Sequence, residues 1–365
     1  MRSATDSREQ HRLAGIDVAR ALALIGMLMV HFGPKGETDI LGRLYALPHG
    51  RASVLFVLVA GVGIASLSSR PEKHAGARLR LFCFALFLLP LGLLLEGLRH
   101  QVAIILHHYA MFFLLGIAVI GLPKRWLVML ASAWTLIGPL LFYAGMMVAP
   151  SAFDRESAEL GDSIISIVSA LLFTGPYPLL VWGAPLLWGI WLGRHDLRDR
   201  RLRWIMMAVG AGLAVWAYVA SELLFAWLGE PGQTADWRFV FAHSAHSEMP
   251  LWIIGAIGSA IFVLGGVLEL ADRFPRLAAP LAALGQMALT AYVVQIVVLT
   301  AAAPLVHQDA VLPAIVSVAT FTVLATVYAV VWRQTIGRGP VEQLMHALWR
   351  WADGLRPAQS ASLRP

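Results

Sequence analysis

Three residues in one apolar stretch pose the first chemical question. They are Asp17, Arg20 and His31 of GIDVARALALIGMLMVHFGP, residues 15–34. At 100° per residue they fall, with Leu24, within about 60° of one another on a helix. Charged groups on a membrane span face a bundle interior and mark a functional path. A carboxylate and a guanidinium three residues apart can neutralise each other. Alternatively, Arg20 can face an anion such as the phosphates of a nucleotide-bearing donor. Imidazole is the side chain suited to moving protons near neutral pH, which makes His31, at the far end of the stripe, a candidate base.

The remaining histidines are unevenly spread. His11, His74, His195 and His346 lie among arginines and lysines, whereas His31, His49, His100, His107, His108, His243, His246 and His307 fall toward the opposite ends of the apolar runs. His49 opens HGRASVLFVLVAGVGIAS and is joined to His31 by a short loop, so either could deprotonate a hydroxyl or amine. His107 and His108 are neighbours in ILHHYAMFF, and one of them must face inward as a candidate substrate contact. Glu222, a carboxylate within an apolar run, and Tyr177 are further candidates for lining a polar cavity. His243 and His246 in FAHSAHSEMP would share a face on a helix and, with Glu248, could hold a metal ion. No third ligand is fixed by spacing, and no metal is expected. Ser244 and Ser247 could instead cap the following helix.

The elements that must position these groups follow from composition. The 365 residues are 58% hydrophobic and 14% charged, with a mean hydropathy of +0.70. Soluble domains average about 45–50% apolar and about 25% charged, so this composition is that of an integral membrane protein. The tail Met1 to Leu13 is polar, and no cleavable signal is evident. The single Cys83 excludes a disulfide within the chain. Ten apolar runs are long enough to suggest spans, near 14–33, 52–69, 79–98, 103–122, 126–148, 177–193, 204–228, 249–271, 280–303 and 311–332. Lysines and arginines number 21 in the tails and alternate loops against 6 on the other side, which predicts cytoplasmic termini. The basic pI of 9.8 is thereby explained by topology rather than by nucleic-acid binding. The expected architecture is all-α, a polytopic single bundle of about ten helices over 14–333. It is flanked by a tail at 1–13 and a tail at 334–365 with a short amphipathic helix. Ile164 to Phe173 is too short to cross and reads as an interfacial or re-entrant helix ended by a Gly-Pro turn.

Several stretches resemble a known family. RLAGIDVARALALIGMLMVHFGP resembles the opening span of the transmembrane acyltransferase superfamily, in which an arginine, an aspartate and a second arginine precede a histidine or asparagine fourteen residues after the aspartate. Arg12, Asp17, Arg20 and His31 match those positions. GRASVLFVLVAGVGIAS, LAALGQMALTAYVVQ and RGPVEQLMHALWRWADG are similar to stretches of its heparan-α-glucosaminide N-acetyltransferase-like and YeiB-like branch, with FTGPYPLL a further point. Ala21 stands where the family has glycine, and Gln286 where it has a basic residue. The resemblance implies transfer of an acyl group, acetyl or another short one, from cytoplasmic acyl-CoA to a sugar or glycoconjugate acceptor on or across the cell membrane. It implies a catalytic role for His49, which lies just before the second span, or for His31, which closes the first. Arg20, Asp17 and Arg12 would serve the CoA side. The residues alone leave a rival open, a transporter or flippase of a small polar solute or lipid-linked sugar, and beside it a non-catalytic scaffold. Lipid, acyl-CoA and acceptor are the expected partners, and pairing with a second copy is compatible with the sequence.

Overall fold

The computed structural model describes residues 13–34, 39–98, 102–153 and 155–355, so Arg12, His11 and His100 lie outside the described residues. The described residues are helical, without strands. In chain order the helices are α1 (Ala14–Phe32), α2 (Ile40–Tyr45), α3 (Arg51–Leu67), α4 (His74–Glu96), α5 (Leu106–Val119), α6 (Lys124–Val148) and α7 (Ile164–Ser169). They continue as α8 (Leu179–Leu192), α9 (Arg200–Leu228), α10 (Pro250–Arg273), α11 (Pro275–Gln286), α12 (Ala288–Val306), α13 (Val311–Thr335) and α14 (Pro340–Gly354).

Every one of the ten apolar runs contains a helix. Among the described residues seven helices are long and apolar enough to cross a membrane, or eight if a bent pair is one span. That pair is Ile164–Thr174 with Leu179–Leu192, bent by 58° at Gly175 to Pro178, so the short helix and the Gly-Pro turn after it lie where the sequence puts them. A π-turn at Ala170–Thr174 precedes the break. Helices α3 and α5, with 17 and 14 residues, are shorter apolar elements. The outer faces are apolar: Trp216, Leu223 and Trp227 on α9 and Val316, Leu324 and Val327 on α13 are more than half exposed. Such faces belong against lipid, because water would leave them as one continuous apolar patch.

The sequence reading placed residues 14–333 in one bundle. By their contacts the helices group as two compact units, Met1–Val59 with His195–Gly339, and Ala60–Arg194 with Pro340–Pro365. The division falls within α3.

In the first unit, α1 is central and packs against α10, α11, α12 and α13. Here the ninth run departs from expectation. Instead of one span over 280–303 the chain breaks at Met287 (φ −114°, ψ 24°) into α11 and α12. The reason lies in tertiary packing at Gly285, where a Cβ atom would sit 1.7 Å from the Asp17 carbonyl oxygen. Helices α9 and α10 approach through Gly210 and Gly258, the small-residue packing that lets membrane helices touch backbone to backbone. Arg203, almost wholly buried, fastens the same pair. Its guanidinium donates to the Leu197 and Leu268 carbonyls and to Asp272 at 2.6 Å, with Glu269 at 3.5 Å.

In the second unit, α4 packs on α5 and α6 on α8. Trp134 donates its indole N–H to the Leu179 carbonyl, and Trp188 donates to the Thr135 hydroxyl at 3.0 Å. The anticipated C-terminal amphipathic helix is α14, which lies on α4. There the Arg80 guanidinium stacks 5.0 Å from the Trp349 ring and 5.2 Å from Phe84, with His346 3.4 Å away.

Candidate functional site

At the start of α1 the two charged residues of the stripe meet. Arg20 donates to Asp17 Oδ1 at 2.6 Å, and Gln286 on α11 donates its amide N–H to Oδ2 at 2.8 Å. Asp17 is fully buried, whereas the Arg20 side chain keeps 26% of its surface exposed. Gln286 therefore helps position Asp17. Any contact with an outside anion from this cluster is made by Arg20.

At the other end of α1, His31 Nδ1 lies 3.0 Å from the Gln295 side-chain nitrogen of α12. Gln295 is fully buried, and its oxygen has no hydrogen-bond partner among the described residues. His307 reaches the His31 carbonyl at 3.3 Å. Tyr45, whose phenol burial pushes up to about 12, donates to the Met29 carbonyl at 2.8 Å. The loop between His31 and His49 thus carries a packed helix, α2, which Asp39 caps by accepting from the Gly42 N–H.

His49, half-buried in the turn before α3, stacks edge-on against His246, with ring centroids 5.6 Å apart. Trp252 on α10 also packs on the His246 ring, 5.7 Å away. Gly50, at φ +72°, allows the turn to approach: a Cβ there would meet Trp252 at 3.1 Å and His246 at 3.5 Å. Glu248 is fully buried, with Oε1 3.8 Å from His246 Nδ1. Its carboxylate lies just ahead of the α10 N-terminus, where the helix dipole favours negative charge. Both His246 (φ +58°) and Glu248 (φ +64°) adopt the left-handed conformation. Such non-glycine strain costs on the order of 1–3 kcal/mol per residue and concentrates at functional sites.

His243 goes elsewhere. Its Nδ1 is 2.9 Å from the Ser221 hydroxyl, and its Nε2 is 3.7 Å from Glu222 Oε1. Ser221 donates its own proton to the Phe241 carbonyl at 2.6 Å. Its oxygen therefore accepts from His243, and the serine is not activated as a nucleophile. Burial pushes His243 below the ordinary imidazole value, against the pull of Glu222 and with the help of Arg51. The helical His243/His246 face considered for a metal does not form. A 3₁₀ turn ends at Phe241, and the left-handed backbone at His246 sends the two rings to different partners. The expected serine cap is also replaced. Met249 occupies the N-cap of α10, while Ser247 donates to the Ala242 carbonyl and accepts weakly from the Met249 N–H at 3.4 Å.

The second unit holds a separate polar centre. His107 and His108, in the first turn of α5, are both fully buried, with ring centroids 4.3 Å apart. Each ring has a backbone group within weak hydrogen-bonding reach, Gly92 for His107 and Ile104 for His108, and no stronger partner among the described residues. Tyr177, at the break of the bent pair, packs its ring 5.5 Å from His108 and 4.8 Å from Trp182. Gly175 in the same break brings its backbone close to His108 Nε2. Both histidines face inward, where the sequence reading required only one.

Asp17 with Arg20, His31, His49 and Glu222 thus belong to the first unit, and His107, His108 and Tyr177 to the second. The structure adds His246 and Glu248 to the groups gathered around His49. The available signal was the dense polar run AHSAHSE immediately before an apolar helix that begins with proline.

Residues 190–352 match the model of a family described as a protein of unknown function (DUF418). The match is consistent with a YeiB-like membrane protein family. It takes in Glu222, His246 and Glu248 but not α1 or His49. No curated protein matches the chain.

Proposed function

We propose that the chain is a membrane-bound acyltransferase that moves a short acyl group from cytoplasmic acyl-CoA to a sugar or glycoconjugate acceptor. The observation that carries the reading is His49, held by a tight turn beside a second histidine and a buried carboxylate on a strained loop. That is the equipment for proton transfer. A neutral imidazole there takes the acceptor's proton as its oxygen or nitrogen attacks the thioester carbonyl. The C–S bond breaks, and the departing CoA thiolate receives the proton back from the imidazolium. His31, in contact with Gln295, is the alternative carrier of this step, either as base or by accepting the acyl group itself. Arg20 and the arginines of the loops on its side supply charge for the CoA phosphates.

In this reading α3, α5 and the bent pair cross the membrane together with the seven long helices, which makes ten spans. Both termini lie on the cytoplasmic face of the cell membrane, because the excess of Lys and Arg sits on that side.

A second reading, transport of a small polar solute, draws support from one specific feature. The bent pair is interrupted beside two buried histidines, and interrupted helices form midplane sites in many transporters. The test is reconstitution of the purified chain in liposomes with acetyl-CoA on one side and glucosamine on the other. Acyl transfer yields acetylated glucosamine together with free CoA. Uptake of glucosamine that needs no acetyl-CoA supports transport and refutes the enzyme.

A further inference from the structure

The family resemblance points to a single histidine at the external loop, but the geometry there joins two. We infer that His246, backed by Glu248, is the base that receives the acceptor's proton, and that His49 works against it as one unit. This rests on the acyltransferase reading of the same site and names a further catalytic residue and a positioning residue for it.

Three observations converge. First, Glu248 is fully buried, with Oε1 3.8 Å from His246 Nδ1. An anion held there favours the tautomer with its proton on Nδ1 and leaves Nε2 as the basic nitrogen. The carboxylate also stabilises the imidazolium that forms when Nε2 takes up a proton, and the contact can tighten to a hydrogen bond at that moment. Second, His246 and Glu248 both hold left-handed backbone conformations, with only Ser247 between them. Ordinary loop closure does not require this of a histidine and a glutamate. With this backbone the His246 ring lies 5.6 Å from the His49 ring and the Glu248 carboxylate beside His246. Third, Gly50 and Trp252 close on the His246 ring from two elements and fix its orientation. The imidazole is therefore held in place before substrate arrives, as a base must be for its proton transfer to be fast.

The other charged groups of this loop region are engaged separately. Glu222 and Arg51 act on His243 with opposite sign, and Ser221 holds the Nδ1 of that ring. The proton balance is closed. The acceptor O–H or N–H proton goes to His246 Nε2, the new bond forms at the acyl carbon, and the thiolate leaves with the electron pair of the C–S bond. The same proton then passes to the thiolate, and Glu248 takes no part in the transfer.

The test uses the full chain in lipid nanodiscs. Histidine is labelled with ¹³C at the ring, and the His246 signal is identified by its loss in His246→Gln. Removing the carboxylate with Glu248→Gln is expected to move the His246 ring ¹³C signals away from those of the Nδ1–H tautomer, and Glu248→Asp to restore most of them. With acetyl-CoA and glucosamine as probes, His246→Gln should lower CoA release at least 100-fold. Glu248→Gln should lower it at least tenfold, with Glu248→Asp recovering most of the loss. Unmoved His246 ring signals in Glu248→Gln overturn the pair whether or not the chain proves to be an enzyme. Wild-type release that persists in His246→Gln overturns its role as base. No release from wild type, with the ring signals moved as expected, refutes the acyltransferase reading alone.

Discussion

Replacing His108 with leucine should make the protein more stable. A buried polar group without a partner costs about 1–3 kcal/mol, and the fully buried His108 ring, with only a weak backbone contact at Ile104, leaves at least one nitrogen in that state among the described residues. Leucine is close to histidine in volume, and a swap of this kind in a core costs under about 1.5 kcal/mol. Loss of the ring contacts with His107 and Tyr177 removes about 0.5–1.5 kcal/mol. The balance favours the variant by up to about 1 kcal/mol, which for a unit of this size raises Tm by no more than about 2–4 °C. The assay is thermal unfolding in one detergent at one scan rate, because multi-pass proteins unfold irreversibly and the rate affects the midpoint. His107→Leu should behave alike. A fall of several degrees would refute the reasoning, since it would mean that the imidazoles are hydrogen-bonded in the folded protein.

Three further outcomes follow from the first unit. Arg203→Leu strands two backbone carbonyls and the acids of α10, so stability should fall by roughly 3 kcal/mol or more, read as a Tm loss in the same assay, with Arg203→Lys between it and wild type. Gly285→Ala forces a methyl group into the Asp17 carbonyl, so α1 and α11 must part at a cost of about 2 kcal/mol or more, seen as a lower Tm and a weaker CoA interaction. His243, lowered mainly by burial, holds its neutral form best in the folded state; the stability it contributes is present above the ordinary imidazole value and declines as pH falls below it. Histidine NMR should find its midpoint displaced further down in Glu222→Gln and upward in Arg51→Gln.

Much of this architecture was legible in the sequence because lipid imposes a simple rule. Every apolar run had to become a helix, since backbone groups in hydrocarbon can be satisfied no other way. The i, i+3 spacing of Asp17 and Arg20 gave their ion pair directly, and the proline-glycine break at 175–178 gave the bent pair. What failed to show were features set by contacts distant in sequence. The split between α11 and α12 follows from Gly285 and Gln286 docking on Asp17, and nothing in the apolar run LAALGQMALTAYVVQ records that docking. The division into two units depends on helix contacts that hydropathy does not encode. At the site, the spacing of His243 and His246 suggested a shared helical face, but the left-handed backbone at His246 is a loop property fixed by packing against Trp252 and the His49 turn. His49 was visible through its place before the second span, whereas its partner emerged only when residues 49 and 246 were brought together.

The central claim is that a histidine of the first unit handles an acyl group delivered by CoA. The most direct measurement is incubation of the purified chain with radiolabelled acetyl-CoA and glucosamine, beside His31→Ala and His49→Ala. Wild type is expected to bind the donor and release CoA as labelled acetylglucosamine forms, and His49→Ala to lose that release while the donor still binds. Absence of both binding and release from well-folded wild type at saturating donor would contradict it.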